Sequence, residues 1–116
     1  MINQYVFTEP TSITFDKVGI KGRILTSSEI SPKTEFLLVN TEKGHQTSII
    51  EHECDFTYYV LSGEGYFLVE DQKYSCETGN LIIIPKNTKF TYKGKLKMLL
   101  VVTPPFFPEQ EETIND

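Results

Sequence analysis

The amino-acid sequence predicts an all-β protein with a single domain. Turn signals built from Gly, Pro, Asn and Asp recur about every ten residues, and short strands at that spacing are typical of β-sandwiches and barrels. β-Branched and aromatic residues dominate between the turns, and no segment shows a helical 3.6-residue period. At 116 residues, the chain is long enough to bury one core.

Strands can be placed one after another between these turns. In chain order, the predicted strands are residues 13–18, 21–25, 34–40, 45–50, 56–61, 66–70, 73–76, 80–84, 89–92 and 96–103. Residues 51–70, EHECDFTYYVLSGEGYFLVE, are predicted to form a hairpin, because Gly63 and Gly65 flank Glu64 and glycine suits a tight turn. Leu81–Ile84 is apolar on both faces, which indicates a strand covered on both sides.

The C-terminal end is predicted to be less regular than the centre of the chain. Residues 104–108 read PPFFP, in which the prolines interrupt strand pairing and the phenylalanines favour burial. We therefore expect an irregular arm over residues 104–116 that ends in a frayed acidic tail. The core of the domain is then about 34–103, and residues 1–33 supply N-terminal strands.

Charge and composition exclude several classes of function. The net charge is −5, and four acidic residues lie in the last eight positions, so the rest of the chain is close to neutral. Nucleic acid is therefore a poor partner. No apolar run approaches the ~20 residues of a membrane span, and no secretory signal is recognisable. We expect a cytoplasmic protein with reduced Cys54 and Cys76, although a disulfide between them stays open.

The spacing of several residues resembles the cupin superfamily, whose members are small β-barrels of two facing sheets. Gly44 and Gly63 stand at the two ends of the first cupin motif, and Gly79 and Pro85 keep the frame of the second. The segments YVLSGEG and GNLIIIPKNTKF also resemble those of small cupins. The resemblance covers roughly residues 34–108 and implies a cupin-type double-stranded β-helix, or jelly-roll barrel.

The residues that hold a metal ion in many cupins are mostly replaced in this chain. At the four ligand positions, the resemblance places Ile50, His52, Phe56 and Phe90. Only the histidine has a lone pair to donate, and catalytic metal sites normally have three protein ligands. The resemblance therefore implies a cupin without metal or other cofactor. An irregular metal site stays an alternative, in which a bulge brings further donors beside His52: His45, Glu51, Glu53 and Asp55.

A polar cluster in an apolar pocket is the candidate site. The predicted lining residues are Ile50, His52, Phe56, Tyr58, Phe90 and Tyr92. Such a pocket is typical of small-molecule sites. His52, Tyr58 and Tyr92 are the candidate catalytic residues, because imidazole titrates near neutral pH and both side-chain types transfer protons. Alternatively, His52 has a structural hydrogen bond near the barrel mouth and the tyrosines only pack in the core.

Three further side chains are predicted to be exposed or inert. His45 follows Gly44 in a turn and is expected to be exposed. Glu35 alternates with Phe36 and is expected to face solvent. Cys54 is expected to be inert, although its position near His52 also allows an activated nucleophile.

Three hypotheses for the function stay open. The first is a metal-independent cupin that binds a small molecule of unresolved identity. The second is a metal-free isomerase or epimerase for a sugar-type or carbonyl substrate, in which His52 and Tyr58 or Tyr92 transfer protons. The third is a structural or regulatory module that acts through its C-terminal arm. We also expect a homodimer that buries the N-terminal strand and Leu81–Ile84, because small barrels leave sheet edges to cover.

Overall fold

The structure, a computed structural model, describes residues 5–26, 30, 33–105 and the backbone of 111–114. These residues contain nine strands and no helix, and therefore no helix that could span a membrane. In chain order, the strands are β1 (Phe15–Lys17), β2 (Ile20–Thr26), β3 (Glu35–Thr41), β4 (Ser48–Glu51), β5 (Asp55–Val69), β6 (Gln72–Glu77), β7 (Leu81–Ile84), β8 (Phe90–Thr103) and β9 (Glu111–Ile114). The all-β prediction is confirmed.

The two long strands, β5 and β8, organise the sheet. They pair antiparallel along their whole length, from Asp55 opposite Thr103 to Val69 opposite Phe90. One path through the sheet runs β1-β2-β3-β8-β4-β9, while β6 and β7 pair with β5. Because β8 pairs with β3, β4 and β5, the sheet folds back on itself and encloses a core. Its most buried side chains come from β3, β5 and β8: Val39, Val60, Phe67, Phe90 and Met98.

The predicted hairpin over residues 51–70 is wrong, because Gly63 and Gly65 lie inside the continuous strand β5. A Cβ atom at Gly65 would fall on the carbonyl oxygen of Lys93, and one at Gly63 would fall on that of Lys95. Gly63 also has a φ of +99°, which glycine adopts at little cost. Glycine therefore permits a close approach of two backbones here and does not reverse the chain.

Replacing Gly65 by alanine is expected to lower the free energy of unfolding by about 1–3 kcal/mol, because the added methyl group overpacks against the backbone of β8. The exposed neighbour Glu64 provides the control. Glu64→Ala is expected to change the free energy of unfolding by less than about 0.5 kcal/mol. Urea unfolding of both variants measures the difference. Equal values for the two variants would contradict the close approach.

The remaining strand predictions also need correction at the C-terminal half of the chain. The predicted strands 89–92 and 96–103 are both parts of β8. The tail is not wholly irregular, because β9 pairs with β4 from Glu51 opposite Glu111 to Ser48 opposite Ile114. The short strand β4 has a single residue pair with β8, so most of its pairing comes from β9. The predicted burial of the phenylalanines at 106 and 107 lies outside the described residues.

Among the residues that the structure describes, strand β7 pairs with β5 alone and is covered on one face. Leu81 and Ile83 are 58% and 61% exposed, whereas Ile84 is buried. The apolar run therefore has one face in the core and one face at the surface. The predicted homodimer would cover the exposed face, and it stays a prediction.

Candidate functional site

A cavity of about 310 Å³ lies beside the aromatic core. Most of its lining is apolar, and its polar or charged side chains are those of Lys17, Glu35, His45, Tyr58 and Tyr92. Among the lining residues that the structure describes, Lys17, at the end of β1, is the exposed one. The size of the cavity and its few polar groups fit a site for a small molecule.

His45 is buried in the cavity wall, only 3% exposed. Its backbone N–H donates to the carbonyl oxygen of Tyr92 over 2.9 Å, which fixes the turn before β4 against β8. Its ring Nδ1 lies 2.8 Å from the carbonyl oxygen of Thr47 and 3.2 Å from the Thr47 backbone nitrogen. We assign the proton to Nδ1 from the shorter contact, so Nδ1 donates to the carbonyl oxygen. Nε2 then keeps a lone pair.

Burial lowers the pKa of His45 from 6.5 to about 4. Loss of hydration is the largest cause, because it disfavours the charged imidazolium. The hydrogen bond to Thr47 acts in the opposite direction, and the positive charges of Lys93 and Lys17 lower the pKa further. At neutral pH the ring is therefore uncharged, and Nε2 can accept a proton.

Tyr58 and Tyr92 are held by a cluster of aromatic rings from β5 and β8. Their ring centroids are 5.5 Å apart, and Phe67 contacts both rings at 5.2 Å and 5.1 Å. The ring of Tyr92 also meets the His45 ring edge-on, with centroids 5.6 Å apart. Each phenol can donate and accept a hydrogen bond. One imidazole, in the turn before β4, and two phenols, on β5 and β8, therefore border the same cavity.

The structure corrects the predicted position of His52, which lies outside the cavity and is exposed. Its Nδ1 is 2.9 Å from Oδ1 of Asn87, across the surface. The physical reason is that β4 ends at Glu51, so the chain leaves the sheet before His52 and turns it outward. The prediction that His52 lines the pocket is therefore wrong, and the histidine in the cavity is His45.

The other predicted lining residues divide into two groups. Phe56, Tyr58 and Tyr92 are on the cavity wall, whereas Ile50 and Phe90 are not among its lining residues. On β4, side chains alternate between faces, and the inner position belongs to the neighbouring Ile49. Phe90 is buried in the aromatic cluster, stacked on Phe67 with centroids 6.4 Å apart. Catalytic roles for Tyr58 and Tyr92 stay predictions.

The expected exposure of His45 and Glu35 is wrong, since both side chains are buried. Glu35 shares the inner face of β3 with Leu37 and Val39, and this two-residue parity was a signal available in the sequence. No comparable signal marked His45. It faces inward because Gly44, whose backbone N–H donates to Thr41 Oγ1 over 2.8 Å, turns the chain back over the sheet.

The metal site of the cupin type does not fit these residues. Of its four positions, three hold hydrocarbon side chains and His52 is exposed. In the part of the chain that the structure describes, no group of three His, Cys, Asp or Glu residues is placed to hold a metal ion, and metal independence stays a prediction. Two carboxylates of the irregular alternative support turns. Glu51 accepts a hydrogen bond from the Glu53 N–H, and Asp55 accepts one from the Lys86 N–H, each over 2.9 Å.

Cys54 lies in the core, where its Sγ is 3.8 Å from the carbonyl oxygen of Pro105. Burial raises the pKa of its thiol to about 12, and the negative charge of Glu51 adds to this shift. A thiol that stays protonated is a poor nucleophile. This agrees with an inert cysteine, and both Cys54 and Cys76 are free thiols.

These features define the class of protein as an antiparallel β-barrel with an internal cavity of ligand size. The chain belongs to the cupin family, since the family model described as a cupin domain matches residues 37–102. The expected resemblance and the jelly-roll fold are confirmed. Comparison with curated proteins gave no match.

Several solved structures are similar to this chain. A structure of Pac13, described as a nucleoside dehydratase, is 29% identical, with 97% of this chain and 92% of that chain covered and a TM-score of 0.88. Streptomyces Pac13 was also solved with uridine in three variants, one His→Gln and two Tyr→Phe, each 28% identical to this chain. KdgF from Halomonas is 18% identical, covers 82% of this chain and 87% of its own, and has a TM-score of 0.70. At that identity it shows the fold alone.

The three positions changed in those Pac13 variants match the polar residues of the cavity. The histidine and the two tyrosines differ from His45, Tyr58 and Tyr92 by a constant offset of three positions in chain numbering. The residue types and both separations along the chain are therefore the same in the two proteins.

Proposed function

We propose that this protein binds a nucleoside in the cavity and catalyses a dehydration of it. The observation that carries the proposal is the convergence of His45, Tyr58 and Tyr92 on one cavity. The same three residue types, at the same separations, were changed in Pac13 variants solved with uridine. The sequence could predict a small-molecule-binding cupin, and the histidine in the cavity and these similarities favour a nucleoside as its ligand.

Elimination of water needs a base that takes a proton from carbon and an acid that protonates the departing hydroxide. In the proposed mechanism, Nε2 of neutral His45 is the base. The electron pair of the broken C–H bond forms the new double bond as the C–O bond breaks, and the hydroxyl of Tyr58 or Tyr92 supplies the proton for water. A neighbouring carbonyl on the substrate makes the carbon acid strong enough for an imidazole base.

The surroundings of these groups support this chemistry. Phe56, Leu100 and Val102 are among the apolar side chains that line the same cavity as the tyrosines, and charges interact more strongly where such side chains exclude water. Proton transfer next to a carbonyl is also what the isomerase alternative requires, with His45 in place of His52. The product separates the two, because a dehydration product is lighter by one water and an isomer is not.

Saturable binding of uridine, with one site per chain, is the expected result of a calorimetric titration. Ile49→Trp fills the cavity from β4 and is expected to weaken binding at least about tenfold, because the bulky ring takes the ligand's volume. Ile83→Trp is the matched control, since the same substitution stands on the exposed face of β7. Wild-type protein that does not bind uridine, or equal effects of the two variants, would contradict the proposed site.

A further inference from the structure

The backbone of the turn before β4 departs from regular strand pairing. Gly44 pairs with Lys93, and Ile49 pairs with Phe90. Between these two pairs, four residues of the turn lie opposite two residues of β8. Such a bulge interrupts the ladder of backbone hydrogen bonds, and buried backbone groups then need partners from elsewhere. Side chains of β8 supply them here.

Thr91 on β8 supplies one of these hydrogen bonds. Its side chain is buried, and its hydroxyl oxygen lies 2.8 Å from the carbonyl oxygen of Thr47 and 3.3 Å from that of His45. A hydroxyl group has one hydrogen to donate, and the shorter contact assigns this hydrogen to Thr47. The carbonyl oxygen of His45 accepts a hydrogen bond from the ammonium group of Lys93. Thr91 and Lys93 therefore hold two carbonyl groups of the bulge.

The carbonyl oxygen of Thr47 is also the acceptor for the imidazole of His45. Nδ1 lies 2.8 Å from this oxygen, but it also lies 3.2 Å from the backbone nitrogen and 3.3 Å from the hydroxyl oxygen of Thr47. The carbonyl oxygen favours a proton on Nδ1, whereas the two donors favour a proton on Nε2. Because a carbonyl oxygen has two lone pairs, it can accept from Thr91 and His45 at once. Its position therefore decides whether Nε2 has the lone pair that a base needs.

We propose that Thr91 is a positioning residue for the base, because it holds the carbonyl oxygen of Thr47 and thereby keeps the proton of His45 on Nδ1. This inference rests on the proposed function, in which Nε2 accepts a proton from the substrate. Thr91 is not among the lining residues of the cavity, and it acts through His45. Adjacent strand residues face opposite ways, so β8 directs the phenol of Tyr92 into the cavity and, on its other face, the hydroxyl that orients the base.

The tautomer of His45 gives the first test. The chain has two histidines, so the His52→Gln variant allows the ring of His45 to be observed alone. The nitrogen chemical shifts of the ring distinguish a proton on Nδ1 from one on Nε2. At neutral pH we expect the proton on Nδ1. A proton on Nε2 would overturn the inference without any change at Thr91.

Thr91→Val, made in the same background, removes the hydroxyl group and keeps a branched side chain of similar shape. The carbonyl oxygen of Thr47 then lacks its donor, and the two donors of Thr47 compete for Nδ1, so part of the proton population should move to Nε2. Turnover of a uridine derivative that carries a carbonyl group on its ribose should fall about 10- to 100-fold, since a misplaced catalytic group has effects of this size. The Kd for uridine in calorimetric titrations should stay within about threefold.

Two further variants separate the hydrogen bond from the packing of the side chain. Thr91→Ser keeps the hydroxyl group and should restore the tautomer and most of the turnover. Thr57→Val makes the same chemical change on β5, at a residue outside the cavity lining. It is the matched control, and its turnover should stay within about twofold of the wild-type value.

The outcomes separate this inference from the proposed function. If Thr91→Val keeps the tautomer or the turnover of the wild-type protein, or if Thr91→Ser loses as much turnover as Thr91→Val, the residue only packs in the structure and the inference is overturned. If the wild-type protein does not turn over the uridine derivative but Thr91→Val shifts the tautomer, the proposed function fails and the hydrogen-bonding role of Thr91 stands. Circular dichroism verifies the fold of each variant, and Thr91→Ala against Thr91→Ser repeats the comparison if Thr91→Val does not fold.

Discussion

Replacing His45 by glutamine is expected to slow the proposed dehydration by about 10²- to 10⁴-fold, which is the usual contribution of a general base. Glutamine keeps a similar length and can still form hydrogen bonds, but its amide cannot accept a proton at neutral pH. Binding of uridine should therefore change much less than turnover. Single-turnover rates for a nucleoside that carries a carbonyl on its ribose, followed by mass spectrometry for loss of water, measure the effect.

The chain contains its own control for this experiment, since it has two histidines. His52→Gln makes the same chemical change at an exposed position outside the cavity. Its turnover is expected to stay within about twofold of the wild-type value, because surface substitutions away from a site have small effects. A loss of turnover in His52→Gln together with an active His45→Gln would restore the role predicted for His52 from the sequence. Equal losses in both variants would indicate a general effect on folding.

The fold could be predicted from the sequence because its signals are local and repeated. Alternating apolar residues between frequent turn residues indicate strands wherever they occur. The predicted strand boundaries are wrong where glycine has two possible structural roles. Gly63 and Gly65 carry the same sequence signal whether they reverse the chain or allow two strands to touch, and the deciding contact with β8 lies about 30 residues further along the chain.

The site could be predicted only in part. Strand parity predicts an inward position for Phe56, Tyr58 and Tyr92, and all three line the cavity. The two polar residues that the prediction placed outside, His45 and Glu35, are buried by long-range packing across the cavity. His52 occupies a family motif position, which predicts that it faces the cavity, but the position at which β4 ends decides which way it points.

The aromatic residues at the predicted metal positions and the tyrosines of the cavity belong to one packed cluster. Phe90 now packs its ring on Phe67 where a metal-binding cupin would place a ligand. The aromatic cluster that fills this space also holds Tyr58 and Tyr92 beside the cavity. Phe56 and Phe90, at two of the positions that the resemblance assigns to metal ligands, therefore contribute to the wall beside the two phenols.

The low pKa of His45 is expected to make the folded protein less stable in mild acid. The folded-state pKa of about 4 lies below the ordinary value of 6.5, so between these two pH values the unfolded chain binds a proton that the folded chain does not. The neutral ring thus contributes its full stability above about pH 6.5, and this contribution is lost as the pH falls to about 4. The shift corresponds to roughly 3 kcal/mol in the free energy of unfolding.

Urea unfolding between pH 4 and pH 7 tests this expectation in wild-type protein and His45→Gln. Carboxyl groups titrate in the same range in both proteins, so the difference between the two curves isolates the histidine. The free energy of unfolding should fall more steeply in the wild-type protein as the pH decreases. In the His52→Gln variant, His45 is the sole remaining histidine, and its ring resonances in NMR should titrate with a midpoint near 4. A midpoint near 6.5, or parallel unfolding curves, would mean that the imidazole is hydrated and is not the buried neutral base that the proposed reaction requires.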